Sequence, residues 1–288
     1  MTIRSFELLR PRSLAEASEL LVKYGEDARP LAGGTTLVVL MKQRAVYYPY
    51  LVDLQSISGL DQIAQEHDGL RIGALVTHRA VECSPVVRAA LPVVAEAFRK
   101  IGNVRVRQTA SVGGNLAHAD HRLDPPPALL LLGAEVTAFG PKGSRVIPLK
   151  NFFRGMYETA LEPSEILVDV KIPPMPAGSK AVYLRYSTLS ANDWPCLGLA
   201  ALLSKEDDRC KELRLAMGGV AATPVLVQGL EFARQQRLSE SVIEEVLRTV
   251  DRQISPFSDL RGSEWYKRQM VRVFVRRAIK QLDEKAVV

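Results

Sequence analysis

Two short glycine segments carry the residue types in this sequence best suited to chemistry. Leu31-Ala32-Gly33-Gly34-Thr35-Thr36-Leu37 joins a predicted strand to a predicted helix. Glycines let a backbone approach a ligand closely, and successive unpaired N–H groups can hold phosphate oxygens. Thr109-Ala110-Ser111-Val112-Gly113-Gly114-Asn115 repeats the combination of small hydroxyl residues beside a glycine pair. Neither segment is GxGxxG or GxxxxGK followed by Ser or Thr, so the usual dinucleotide and P-loop readings lack support. Two readings stay open: a pair of ordinary glycine turns, or two segments gripping the phosphates of a pyrophosphate from opposite sides.

Downstream, His118, Asp120, His121 and Asp124 gather polar side chains, but their spacing fits no common metal site. Asp124 has two readings of equal weight. It either accepts a hydrogen bond from a sugar hydroxyl or flavin ring group, or caps the helix that follows Pro125-Pro126-Pro127. His67 and His78 have no partner in sequence and read as surface or structural residues. Cys83, Cys196 and Cys210 follow no CxxC or CxxH spacing, which argues against an iron–sulfur cluster, a structural zinc and a disulfide framework in this chain. No Ser-His-Asp order, nucleophile elbow or paired-carboxylate motif emerges, so enzyme chemistry here belongs to a bound cofactor.

The elements that must position these residues alternate as short helices and strands, the texture of an α/β or α+β chain. Ser13 and Glu16 form a capping box for a helix that should stop at Gly25. A buried strand over Arg29–Ala32 and a short helix over Thr36–Lys42 bracket the first glycine segment. Tyr50–Leu54 and Gly69–Gly73 read as strands, and Pro85–Ile101 as one amphipathic helix leading into a polar, glycine-rich segment, Asn103–Asp124. A helix over 126–132, a strand over 133–138 and a hairpin turn at Gly140–Gly143 follow. The proline-rich stretch 173–178 is the best domain boundary; beyond it lie strands over 180–186, 197–204 and 212–217, then helices over 239–250 and 263–285.

Composition narrows the class. With 288 residues, 47% of them hydrophobic and 24% charged, the chain can bury a sizeable core, and its length favours two domains. Its net charge of +6 comes from basic residues interleaved with acidic ones. The one dense basic stretch, Lys267, Arg268, Arg272, Arg276, Arg277 and Lys280, reads as the polar side of a helix. A solvated face or a docking face for an acidic protein is favoured there over nucleic acid. The N-terminus lacks an apolar signal core, and no run approaches the ~20 apolar residues that span a bilayer. The expectation is a soluble, cytoplasmic protein with no membrane span.

These segments match a known family. FELLRPRSLAEASELL from Phe6, YGEDARPLAGGTTLVVLMK from Tyr24, LVDL from Leu51, TASVGGNLAHAD from Thr109, LGAEV from Leu132 and EILVDVKIP from Glu165 carry the likeness. The chain resembles, over essentially its full length, the FAD-binding medium subunit of molybdenum hydroxylases. That group contains aerobic carbon monoxide dehydrogenase and xanthine dehydrogenase. The resemblance implies an α+β fold: a two-subdomain FAD-binding domain of the molybdopterin dehydrogenase (PCMH-like) type over residues 1–175, and a small C-terminal α+β domain over 176–288. It implies that Leu31, Ala32, Gly33, Gly34, Thr35, Thr36 and Leu37 form the first pyrophosphate loop, and Ala110, Ser111, Gly114 and Asn115 the second. Asp124 matches an aspartate on the flavin side, Leu167 and Ile101 match apolar flavin neighbours, and Arg185 a basic residue near the ring.

The family's role is electron relay. A molybdopterin-containing large subunit oxidises the substrate, a small subunit with 2Fe-2S clusters passes electrons, and FAD in this chain delivers them to an external acceptor. A dimer of such heterotrimers is the implied assembly. Arg185 is the candidate for favouring the reduced flavin at its N1/O2 edge. The chain departs from the family over Ser187–Ala191 and Asp193-Trp194-Pro195, where Trp194 reads either as a ring-stacking residue or as a core tryptophan. The cysteine ligands of an extra cluster found in hydroxybenzoyl-CoA reductases have no counterpart. A free-standing FAD oxidase and a non-catalytic assembly subunit are the competing functions.

Overall fold

A computed structural model describes residues 3–284. Its first sheet is parallel, ordered β1-β3-β2, from β1 (Glu7–Leu9), β2 (Ala28–Leu31) and β3 (Tyr50–Asp53). Between β1 and β2 runs α1 (Leu14–Tyr24), where Ser13 accepts from the Glu16 N–H and Glu16 from the Arg12 N–H, so the capping pair forms as the sequence predicts. The first glycine segment connects β2 to α2 (Leu37–Lys42).

A second, antiparallel sheet is ordered β4-β5-β10-β6-β7, from β4 (Ile63–Glu66), β5 (Gly69–Gly73), β6 (Glu135–Gly140), β7 (Gly143–Pro148) and β10 (Ile166–Ile172). Six helices lie between β5 and β6: α3 (His78–Cys83), α4 (Pro85–Ala90), α5 (Pro92–Arg99), α6 (Val104–Thr109), α7 (Val112–His118) and α8 (Pro125–Leu131). A small hairpin of β8 (Phe153–Gly155) and β9 (Glu158–Thr159) precedes β10.

Two expectations need correction here. The helix read over Pro85–Ile101 is two helices, because Leu91, placed before Pro92, adopts a non-helical backbone (φ −137°, ψ 63°) and Pro92 opens the next helix. The apolar spacing is kept across the break, so Val94, Ala97 and Phe98 are all buried. The second pyrophosphate loop implied by the resemblance is largely helical: the polar, glycine-rich segment Asn103–Asp124 holds α6 and α7. Asn103 caps α6 by accepting from the N–H groups of Arg105 and Val106, and Ser111 caps α7 by accepting from Gly114 N–H. The glycine pair Gly113-Gly114 therefore lies inside a helix, where glycine is intrinsically disfavoured and tertiary contacts decide.

After the proline-rich stretch comes a third sheet, ordered β11-β12-β13-β14, from β11 (Ser179–Tyr186), β12 (Leu197–Glu206), β13 (Arg209–Gly218) and β14 (Val225–Leu226). It ends in α9 (Glu240–Asp251) and α10 (Glu264–Asp283); Lys285, the last residue of the predicted helix, lies outside the described residues. Strand β12 is buried on both faces, which is why it reads as an unbroken apolar run. Ala200 and Leu202 join the core built around Phe98 and Leu129, while Leu197, Leu199, Ala201 and Leu203 join the core under α9 and α10. The C-terminal sheet is thus the middle layer between two helical layers.

Most of the basic stretch of α10 is not a free docking face. Arg268 pairs with Glu264, Arg272 with Glu244 and Asp251, and Arg276 with Glu240 and Glu244. Acidic residues one helical turn apart on α9 meet Arg272 and Arg276, one turn apart on α10, so the charge of these two is neutralised inside the chain, while Arg277 and Lys280 are exposed and have no acidic partner among the described residues. Lys267 does not lie on the polar side at all: it is buried, donating to the Phe257 carbonyl and pairing with Asp259 at 2.9 Å. Among the described residues no helix is long and apolar enough to cross a membrane.

Candidate cofactor site

The two glycine segments meet. A Cβ on Gly33 would collide with the Thr109 carbonyl, and one on Gly114 would sit 3.8 Å from the Ala32 methyl and 2.9 Å from Ser111 Oγ. Gly34 takes the left-handed backbone (φ +68°) that turns the chain from β2 into α2. Gln55, just beyond β3, donates to the Ala32 carbonyl and fixes the start of the first segment. Behind the second, Gly113 packs so closely on Ala74 that a Cβ would lie 2.6 Å from the alanine methyl. The residues following β5 hold this segment through Gly113 N–H to Ala74 O and Val112 N–H to Val76 O.

The segments border a cavity of about 800 Å³, within the size of small-molecule and cofactor sites. All fifteen residues named from the sequence reach its wall: Leu31 to Leu37, Ile101, Ala110, Ser111, Gly114, Asn115, Asp124, Leu167 and Arg185. Among the described residues the backbone N–H groups of Gly33, Gly34, Thr35, Thr36 and Leu37 find no protein acceptor. A run of free N–H donors along a cavity wall is the arrangement that receives phosphate oxygens. Asn115 Oδ1 is likewise buried without a partner. The donors, the close-set glycines and the apolar Leu167 and Ile101 fit a dinucleotide with an apolar ring system.

Asp124 is 4% exposed and does not cap α8 with its side chain. Its carboxylate instead accepts from Tyr183 Oη at 2.6 Å and from Arg185 Nε at 2.9 Å. Burial pushes its pKa up to about 6, outweighing the Arg185 charge and the tyrosine hydrogen bond, both of which favour the ionised form. The Arg185 guanidinium is largely occupied by protein: it donates to Asp124, to Ser187 Oγ and to the carbonyls of Ala191 and Asp193. Its influence on the cavity therefore runs through Asp124 and the 187–193 segment. Asp193 in turn pairs with Arg261 at 2.8 Å. Trp194 is no core tryptophan; it is half-buried at the cavity wall, with the Arg122 guanidinium 5.1 Å from its ring.

Of the residues considered for a metal, the two carboxylates are engaged elsewhere, while both ring nitrogens of the buried His121 have no hydrogen-bond partner. Asp120 accepts from Arg122 and from Tyr157 Oη, and Asp124 from Tyr183 and Arg185. Among the described residues no three His, Cys, Asp or Glu side chains converge into a metal site. Sequence reasoning missed several wall residues. Tyr157 is supplied by the β8–β9 hairpin, and its N–H donates to the Ala119 carbonyl at 3.0 Å. His78, read as a surface or structural residue, is buried and also reaches the wall. Neither has a sequence signal, because each is placed by a contact with a distant segment. Gly113 stood inside the second motif, and its close approach to Ala74 was the missed consequence.

The fold and site define a class: an α+β protein in which two glycine segments meet at the wall of one cofactor-sized cavity. Residues 4–175 match the FAD binding domain in molybdopterin dehydrogenase, and residues 182–282 the CO dehydrogenase flavoprotein C-terminal domain. The chain belongs to this family of FAD-binding medium subunits of molybdenum hydroxylases. It is 32% identical over 283 residues, covering 98% of each chain, to the carbon monoxide dehydrogenase medium chain of Afipia carboxidovorans. It is 29% identical to the glyceraldehyde dehydrogenase medium chain of Sulfolobus acidocaldarius, over 96% of this chain and 98% of that one. Its fold superposes on carbon monoxide dehydrogenase from Hydrogenophaga pseudoflava with a TM-score of 0.94 at 32% identity, covering 98% of both chains.

Proposed function

We propose that this chain is the electron-relay subunit of a molybdenum hydroxylase, holding FAD in the cavity between the glycine segments and the 185–194 region. Electrons arrive from the 2Fe-2S clusters of a small partner subunit and leave to an external acceptor; the substrate is oxidised on a large molybdenum-cofactor subunit. The observation that carries the reading is the joining of two glycine segments, Leu31–Leu37 and Thr109–Asn115, far apart in sequence, into one wall lined by unpaired N–H groups.

FAD, when bound, supplies a carrier that exchanges electrons singly with the clusters and in pairs with the acceptor. This chain's residues do the holding. Gly33 to Leu37 offer donors to the diphosphate, with Ser111, Gly114 and Asn115 as the second side of the cradle. Leu167 and Ile101 shield the ring system from water, and Asp124, fixed by Tyr183 and Arg185, offers an acceptor to the cofactor. Residues 1–175 are read as the FAD-binding domain and 176–288 as the C-terminal domain, and the assembly as a cytoplasmic dimer of heterotrimers.

Purification of the complex from its native source tests the reading. Molybdenum, iron and a flavin absorption band co-eluting with this chain are expected, with a mass corresponding to two copies of each subunit. A folded, colourless chain that takes up no added FAD overturns it.

A further inference from the structure

His78, the first residue of α3, stands behind the second glycine segment and is 1% exposed. Both its backbone and its ring reach that segment. Its N–H donates to the Ala110 carbonyl at 2.9 Å, and its Nε2 lies 3.0 Å from the Ser111 carbonyl oxygen. A carbonyl only accepts, so Nε2 carries the proton and Nδ1 the lone pair. Nδ1 is buried and has no partner, and the Phe98 ring packs edge-on at 5.2 Å.

The Ser111 carbonyl is a junction. It also accepts from Asn115 N–H at 3.0 Å, while Ser111 Oγ accepts from Gly114 N–H at 3.2 Å. Ser111, Gly114 and Asn115 all line the cavity. The backbone bonds from the 74–78 stretch fix Ala110, Val112 and Gly113, which leaves the Ser111 carbonyl to the imidazole and the first turn of α7.

A packing role alone is poorly served by this side chain. A buried nitrogen without a partner carries a desolvation cost that an apolar residue of similar size avoids. What Leu or Phe cannot supply is the N–H donor. Burial holds the ring pKa down to about 4, with Arg107 adding to the effect, so the imidazole is a neutral single donor near neutral pH.

We propose that His78 is a positioning residue of the cofactor site: its Nε2–H fixes the Ser111 carbonyl and thereby sets Gly114 and Asn115 against the bound diphosphate. The inference rests on the reading of the cavity as the FAD site. Its test compares the full-length chain with H78Q, H78N and H78F, measuring the FAD dissociation constant by flavin fluorescence quenching, with melting temperature alongside. Glutamine places a side-chain N–H near the position of Nε2, asparagine stops one bond short, and phenylalanine keeps the bulk without a donor.

H78N and H78F are expected to bind FAD about fivefold more weakly, the worth of one hydrogen bond, while H78Q stays within about twofold of wild type. The glutamine–asparagine contrast holds even if H78F does not fold, since both amides are polar and differ only in reach. Equal affinity of H78Q and H78N, whether both tight or both weak, overturns the inference. A wild-type chain that takes up no FAD overturns the cofactor reading and this inference with it; wild-type uptake with matched amide variants overturns the inference alone.

Discussion

Asp124 concentrates the electrostatics of the cavity into one carboxyl. Its folded pKa of about 6 lies inside the working range of most proteins, and the residue lines the cavity. FAD affinity measured between pH 5 and 8 is expected to inflect near 6, and D124N to flatten that profile; an unchanged inflection in D124N counts against the assignment. Removing the cation that favours the ionised form acts in the other direction, so R185A moves the inflection to higher pH. The same variant frees the 187–193 carbonyls, and faster proteolysis of that segment is expected alongside. The sequence named both residues through the resemblance. It did not contain their pairing, because Asp124 precedes α8 and Arg185 stands on β11, and only the packing of those elements brings them within 2.9 Å.

At the scale of elements, the contact between the two glycine segments leaves no room for a methyl group. G33A forces the first segment away from Thr109; overpacking of this kind costs typically ~1–3 kcal/mol, and here the separation opens the cradle. The expected outcome is a folded chain with most of its flavin lost, read from the ratio of flavin to protein absorbance. A different contact seals the C-terminal helices. The Arg272 bridge to Glu244 and Asp251 is about one-third exposed on both sides, so R272A should lower stability by only about 1 kcal/mol, measured by urea unfolding. A loss several times larger would mean that the pair is better shielded than its exposure indicates.

Elements with local signals were legible: the Ser13–Glu16 cap, the Gly140–Gly143 hairpin and the apolar run of β12 each follow from residues adjacent in sequence. The break at Pro92 was legible too and was overridden by an apolar period that continues across it. Helix α7 was not legible, since its glycine pair reads as a turn until Ala74 and Ala32 are placed against it. Lys267 was misread for a related reason: only the fold supplies Asp259 and the Phe257 carbonyl that let an ammonium be buried.

Across the whole molecule, acid acts on groups that the fold holds away from their free values. Burial depresses His78 to about 4 and also lowers His118 and His121. Below pH ~6.5 the unfolded chain takes up these protons first, so their contribution is whole above that value and is lost as pH falls toward 4. Glu165, held low by Arg145, acts in the same direction at lower pH. Asp124 opposes them: its raised pKa makes its ionisation a burden above about 6 that is relieved on acidification. Three histidines against one aspartate predict a lower melting temperature at pH 5 than at pH 7.5, checked by calorimetry, and a steeper decline in D124N. Strand β12 sets a different limit, on sequence change. Most strands keep a wet side on which drift is harmless, whereas here neighbouring positions answer to separate interiors. Saturation mutagenesis across Leu197–Leu203 should find intolerance at every step instead of at alternate ones, a stretch of the chain with no permissive side.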